Sequence, residues 1–341
     1  MSNVSVTSDF REMALLIRSY QLSKMLEITV SIGLADRLNS EPKSAIELAS
    51  ECGANAEMLL RLCRALAAFG IYSVDAAQNI THTPKSRWLR SDANPTLHYA
   101  ARFWCMPSIW SMWGNFEHAI RTGTPPFEAV HGMPYFEFMG THTKDAEIFN
   151  RYMQHSPDDR HAAVAEAYDF SGAGVVVDVG GGNGALLAAI LAGNPTLHGI
   201  LFDQEAVVAD APGTLQELSA RCTVRTGSFF DSVPAGGDIY TMSMILHDWN
   251  DEKCHRILAN CREAVKPGGR VLIIDRVLDA GGENADPIGF LADMQMMALF
   301  PGARERTRSE FAQLLAEAGF AEPRVIPTRS PFSIVEASAT K

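Results

Sequence analysis

The chain has 341 residues, 47% of them hydrophobic and 20% charged, with a formal net charge of −11. That length can bury a large core and predicts two domains, while no apolar run approaches the ~18 residues of a membrane span. Residues 1–100 balance ten basic against ten acidic side chains and the remainder sets 19 against 30, a surface that repels polyanions such as nucleic acid.

At the N-terminus, Asp9, Arg11 and Glu12 stand where a secretory leader needs an apolar core, so the chain reads as cytoplasmic. None of the six cysteines forms a CxxC pair, which predicts free thiols and gives no zinc spacing. From Ser44, the stretch SAIELASECGANAEMLLRLCRALAAFGIYSV opens with Ser44 and Glu47 at capping-box spacing, predicting a short helix. Cys52-Gly53 ends it, and Asn55 caps a second helix in which Met58, Leu59, Leu62, Leu66 and Phe69 recur at helical spacing. Gly70 closes that helix, and IYSV and ITHTP around DAAQN predict a hairpin. Helix, turn, helix and hairpin outline a winged helix. A DNA-reading helix offers several Arg, Lys, Asn or Gln side chains to the groove. Here only Arg61 and Arg64 stand behind Glu57 in a neutral region, which favours a packing or dimerisation module.

Residues 101–120, ARFWCMPSIWSMWGNFEHAI, hold more large apolar groups than one helix face accommodates, so most belong to a core or a domain junction. Some can line a pocket for a flat apolar ligand, since Met and Trp give adaptable, polarizable walls. From about residue 174 strands and helices alternate. VVVDV, HGILFD, RCTVRTG, DIYTMSMI and RVLIID predict a doubly wound parallel sheet, and PRVIPT with FSIVEAS a terminal hairpin at its edge. The expected organisation is a domain over 1–100, a helical linker and pocket segment over 101–173, and an α/β domain over 174–341.

The run Gly180-Gly181-Gly182-Asn183-Gly184-Ala185 fits G-x-G-x-x-A, so a nicotinamide dinucleotide competes for this loop, whereas a Walker loop is excluded because no Gly-Lys-Ser/Thr follows. Asp178 aims an anion at the turn where a pyrophosphate would lie, which suits a cationic or amino-acid-like ligand better. Asp203 ends the second strand and can take both ribose hydroxyls under either reading. The fourth strand runs into ILHDWND, which brings His247 to the carboxyl end of the sheet, where such folds bind ligands.

DVGGGNG, FD at Asp203, GSFFDSVPAGGD, ILHDWNDEKCHRIL, KPGGRVLIID and GARERTRSEFAQLLAEAGF follow in the order and spacing of one family. The chain resembles class I S-adenosylmethionine-dependent O-methyltransferases, more narrowly the plant caffeate-type enzymes and their bacterial small-molecule relatives, over nearly its whole length. The resemblance implies a seven-stranded Rossmann-like sheet behind an N-terminal winged helix that mediates homodimerisation. It further implies that the loop holds S-adenosylmethionine, with Gly180 and Gly182 against its methionine part and Asp203 on the ribose. Phe229 and Trp249 match adenine contacts. Ser228 replaces an Asp that often binds the adenine amine, and Ser243 replaces a Lys four residues before the catalytic His.

His247 matches the family's general base, and Asp275 and Glu305 match the acids that flank it; the family often has Glu at the first of these. An imidazole of pKa ~6.5 can accept the proton of a phenol of pKa ~10 as methyl transfer proceeds. Asp293, Met294, Met296, Met297 and Phe300 in ADMQMMALFPG resemble the acceptor-pocket segment, and Phe300 stands where the plant enzymes often have Asn. With Trp104, Met153 and the neighbouring tryptophans this implies a polycyclic or polyketide-type aromatic acceptor. The motifs imply no metal, since an imidazole takes the place of the carboxylate cluster that a hard cation needs, and Asp248 is expected to point away. Two alternatives stand beside this reading: N-methylation or a non-methylating relative of the same fold, and a winged-helix regulator that senses a metabolite.

Overall fold

Two compact units make up the chain in the computed structural model, one of residues 1–114 and 136–157 and the other of residues 115–135 and 158–341. The structure describes residues 7–39, 41–155, 159–278 and 286–340. The stretch 101–173 is therefore shared between the units, with 115–135 grouped with the second.

In the first unit Ser44 caps the Ala45–Cys52 helix by accepting from the Glu47 amide, and Asn55 caps Ala56–Ala67 through the Met58 amide. Gly53 joins the two helices at φ +64°, a left-handed conformation that glycine adopts without steric cost. The second helix buries Leu59, Leu60, Cys63 and Leu66, while Met58 and Phe69 stay exposed, so the buried stripe is rotated from the one its sequence suggests. Strands β1 (Lys43–Ser44), β2 (Tyr72–Val74) and β3 (Asn79–His82) form an antiparallel wing in the order β1-β3-β2. The short β1 lacks the alternation that would mark it in sequence. The helix Ser8–Ile17 buries no residue, and Phe10, Met13, Leu15, Leu16 and Ile17 are all exposed. Trp104 ends the helix His98–Trp104 with its ring against Phe103 and Tyr152, and Met153 lies half-buried in the helix Thr143–Gln154.

The second unit is built on β4 (Val175–Val179), β5 (His198–Asp203), β6 (Cys222–Thr226), β7 (Ile239–Ser243) and β8 (Arg270–Asp275). After β8 come β9 (Val277–Leu278) and β10 (Arg306–Thr307), then β11 (Arg324–Pro327) and β12 (Ser333–Ser338). The seven-stranded sheet has the order β11-β12-β8-β7-β4-β5-β6, parallel except for the terminal hairpin. Side chains alternate between its faces with the two-residue period of a strand. Val177, Val179, Val271 and Ile273 face one apolar layer, and Val176, Leu272 and Ile274 the other. The direction of winding reverses between β4 and β7, and open α/β sheets bind ligands outside the carboxyl ends of the strands at such a point. A separate two-residue parallel ladder joins β9 to β10, pairing Arg306 with Val277. Among the described residues no helix is long and apolar enough to cross a membrane.

Candidate active site

At the end of β4 the chain turns through Gly180 at φ +68°, Gly182 at φ +60° and Gly184 at φ +84° before the helix Ala185–Gly193 begins. A Cβ on Gly180 would meet Ile245 at 2.4 Å and lie 3.6 Å from the Phe229 ring, so the backbone is pressed against apolar side chains there. Above Gly182 no atom lies within 4 Å of where a Cβ would stand, which leaves the backbone open to a ligand. Asp203, at the end of β5, shapes this turn by accepting from the Gly182 amide at 2.9 Å and from the Gln204 amide at 2.7 Å. Burial raises its carboxyl above the usual range, and those two amides oppose the rise.

Asp178 does not present its charge to the mouth of the loop. Its side chain is fully buried between strands, with one oxygen accepting from the Thr241 hydroxyl at 2.7 Å and the other beneath Gly181. Burial pushes this carboxyl up to about 7, against the Thr241 hydrogen bond. On the far side, the rings of Phe229 and Phe230 lie 4.8 Å apart, and Trp249 meets the Phe230 ring edge-on at 4.8 Å. Ser228 spends its hydroxyl oxygen on the Phe230 amide, and Ser243 closes β7 half-buried. The loop's glycine amides are already spent, Gly180 and Gly181 on the Phe202 carbonyl, Gly182 on Asp203 and Gly184 on the Gly181 carbonyl, and with a carboxylate beside them and no cation on the loop this disfavours a pyrophosphate. The Asp203 carboxylate and the aromatic wall fit a ligand with a ribose diol and an adenine ring, as S-adenosylmethionine has.

The chain leaves β7 through Met244 at φ +57°, strained for a side-chain-bearing residue, and enters a single 3-10 turn, Leu246–Asp248. His247 on that turn is buried, and its Nδ1 lies 3.0 Å from Glu305 Oε1. Its Nε2 lies 3.4 Å from Asp248 Oδ1, so Asp248 turns toward the ring rather than away from it. The charge of the imidazole offsets the cost of enclosing the Asp248 carboxylate there. Asp275, at the end of β8, is fully buried, yet neither carboxylate oxygen has a hydrogen-bond partner. The expected bond from Asp275 to the imidazole is therefore absent in this structure; Asp275 acts on His247 through its charge alone. Burial works to depress the imidazolium, but Glu305, Asp248 and Asp275 outweigh it and hold His247 at about 10. Burial likewise pushes Asp275 up to about 7 and Asp248 up to about 6, in each case against the pull of His247.

Asp293 accepts from the Glu305 amide at 2.9 Å, so it steadies the imidazole's partner. Met296 and Met297 are half-buried on the helix Pro287–Leu299, and Phe300 caps that helix with its ring edge-on to Tyr135 at 5.5 Å. These lie in the second unit, and Trp104 and Met153 in the first. Sequence reasoning missed Arg306, whose side chain is fully buried and donates to the carbonyls of Leu246 and Trp249. The capping box of Thr307 and Glu310, which fixes where the last long helix begins, could have shown that 304–306 is an extended lead-in.

The O-methyltransferase domain family matches residues 113–321, and the O-methyltransferase dimerisation domain family matches residues 14–92. The chain is 36% identical over 330 residues to O-demethylpuromycin-O-methyltransferase of Streptomyces alboniger, covering 95% of this chain and 87% of that protein. It is 37% identical over 324 residues to phenazine O-methyltransferase PhzM of Lysobacter antibioticus, covering 94% of each. Its fold superposes with a TM-score of 0.79, at 32% identity, on NcsB1, an O-methyltransferase from neocarzinostatin biosynthesis. That match covers 93% of this chain and 96% of NcsB1, whose crystal structure holds S-adenosylmethionine and 2-hydroxy-5-methyl naphthoic acid. With both of its domains matched and such relatives along nearly its full length, this chain belongs to the S-adenosylmethionine-dependent O-methyltransferase family.

Proposed function

We propose that the enzyme methylates a phenolic hydroxyl of a polycyclic or polyketide-type aromatic, with His247 as general base. The observation that carries this reading is the buried His247–Glu305 pair, set on the turn after β7 at the carboxyl end of the sheet beside the glycine loop. Bound S-adenosylmethionine supplies an electrophilic methyl group on a sulfonium. Asp203 would hold its ribose, the open space above Gly182 would admit its amino-acid part, and Phe229 with Trp249 would hold its adenine. Ser228 and Ser243 are proposed as weaker polar contacts, and Asp178 supports the loop from below.

With Nδ1 donating to Glu305, His247 Nε2 is the atom that takes the acceptor's proton, and the carboxylates stabilise the imidazolium that results. Asp248 faces that same nitrogen at 3.4 Å, beside where the acceptor hydroxyl would lie. Met296, Met297 and Phe300 are proposed to line the acceptor's site. The uncovered apolar face of Ser8–Ile17, which runs into the region 14–92 that matches the dimerisation domain, supports a homodimer formed through the N-terminal unit. The neutrality of residues 1–100 supports a role for that unit other than nucleic-acid binding.

Because the carboxylates hold His247 at about 10, the ring of the free enzyme is charged at neutral pH and must lose that proton before it can act. For an acceptor of pKa ~10, kcat/KM is expected to rise by roughly tenfold per pH unit from about pH 7 towards pH 10. A plateau reached already near pH 6.5 would show that the carboxylates do not hold the ring's proton.

The chemistry is proposed to need no divalent cation, since Glu305 and Asp248 are both turned to the imidazole. Activity is expected to survive EDTA unchanged. Loss on chelation that magnesium restores would refute this.

A further inference from the structure

We propose that Arg306 is a positioning residue that locks the turn bearing His247 to the segment bearing Glu305, by gripping backbone carbonyls on either side of the histidine. This inference rests on His247 being the base. The turn itself has little to define it: the Asp248 amide reaches Ile245 at 3.3 Å and the Trp249 amide reaches Leu246 at 3.2 Å. The remaining restraints come from outside the turn. Arg306 Nη1 donates to the Leu246 carbonyl and Nη2 to the Trp249 carbonyl, each at 2.8 Å. The Arg304 amide donates to the carbonyl of His247 itself at 3.0 Å. Three carbonyls in and just after the turn are thus held by a segment of three residues whose middle member is Glu305, with the Cys254 thiol a weaker second donor to those of Leu246 and Trp249.

The guanidinium is aimed by its own surroundings. Its Nη2 also reaches Asp251 Oδ1 at 2.8 Å, and the Arg306 backbone pairs with Val277, two residues beyond Asp275. A fully buried cation is costly to keep, and well-packed apolar side chains often serve stability equally well. A role confined to folding does not call for it. Bridging two carbonyls three residues apart does call for a planar fork, which lysine lacks. Misplacing a reacting group by about 1 Å can lower a rate ~10²-fold, so a turn held this way matters to the chemistry more than to the fold.

The test uses the full chain as Arg306→Lys and as Asp251→Asn, a change at the half-exposed outer anchor. Four quantities are measured: kcat with a phenolic acceptor, the pH dependence of kcat/KM, S-adenosylhomocysteine affinity by calorimetry, and the thermal midpoint. The charged groups around the ring are Glu305, Asp248, Asp275 and Arg306, with Asp251 and Asp293 behind them, and Arg306→Lys changes none of their formal charges. Arg306→Lys is expected to lower kcat by 10- to 100-fold, with cofactor affinity within about threefold of wild type. The alkaline inflection should move down toward the ordinary histidine value as the ring loosens from Glu305. Asp251→Asn should show the same inflection shift with a loss of roughly two- to fivefold.

A folded Arg306→Lys protein with wild-type kcat and inflection overturns the proposal. Should that variant not fold, Asp251→Asn with a wild-type inflection overturns it instead. His247→Ala separates the two readings. Full activity there removes the base itself, whereas loss there beside an unaffected, folded Arg306→Lys removes only the positioning role.

Discussion

Replacing His247 by alanine or glutamine is expected to lower kcat by roughly two to four powers of ten while S-adenosylmethionine affinity barely moves, because a general base works in the transition state. Asp275→Asn and Glu305→Gln should each cost less than the loss of the ring, since neither accepts the acceptor's proton. Of the two, Glu305→Gln should cost more: Glu305 touches Nδ1 at 3.0 Å, whereas Asp275 acts only through its charge. Their effects should not add to that of His247→Ala, since groups acting as one unit cannot be removed twice. Acceptors made more acidic by nitro or fluoro substituents need the base less. The penalty for losing His247 should therefore shrink as acceptor pKa falls. The measurement is kcat of wild type and His247→Ala over an acceptor series of graded pKa. An equal penalty across the series would mean that His247 orients the acceptor and does not take its proton.

The second large effect is expected at Asp203. In Asp203→Ala the Gly182 and Gln204 amides lose their acceptors, and the ligand loses the carboxylate proposed to hold its ribose. Hydrogen bonds to a charged group are worth about 1.5–3 kcal/mol each, so S-adenosylhomocysteine affinity should fall by ~10²-fold or more. Asp203→Asn keeps one oxygen acceptor and should fall between. Calorimetry of the three proteins checks this, with circular dichroism to show that the sheet remains. An Asp203→Ala protein that binds S-adenosylhomocysteine as tightly as wild type would place the ribose elsewhere.

Much of the sheet was legible because buried parallel strands are short apolar runs with sharp ends. VVVDV, HGILFD and RVLIID coincide with β4, β5 and β8. The wing's β1 and the β9–β10 ladder were not legible, since two residues carry no period. Motif spacing brought His247 and Glu305 together from positions far apart in sequence, and the structure places them in contact. It could not show what the side chains do on arrival. Asp248 faces the ring, whose charge offsets its enclosure, and Asp178 lies beneath the loop because strand alternation sends it inward beside Thr241. Arg306 was hidden for another reason. In ARERTR it reads as one of several surface charges, and only the fold shows that its side chain is wholly enclosed.

The two units are interleaved in sequence, and the chain passes between them three times, after residues 114, 135 and 157. A chimera made at one junction would therefore graft an incomplete piece. A donor's residues 1–114 would arrive without the Thr143–Gln154 helix that packs beside His98–Trp104, and the recipient would have to supply it. Recombination among relatives that keeps both units whole must exchange 1–114 and 136–157 together. Inheritance of the two pieces is tied, and so are the residues Trp104 and Met153 that they carry. A single crossover anywhere between residues 104 and 153 would split that pair.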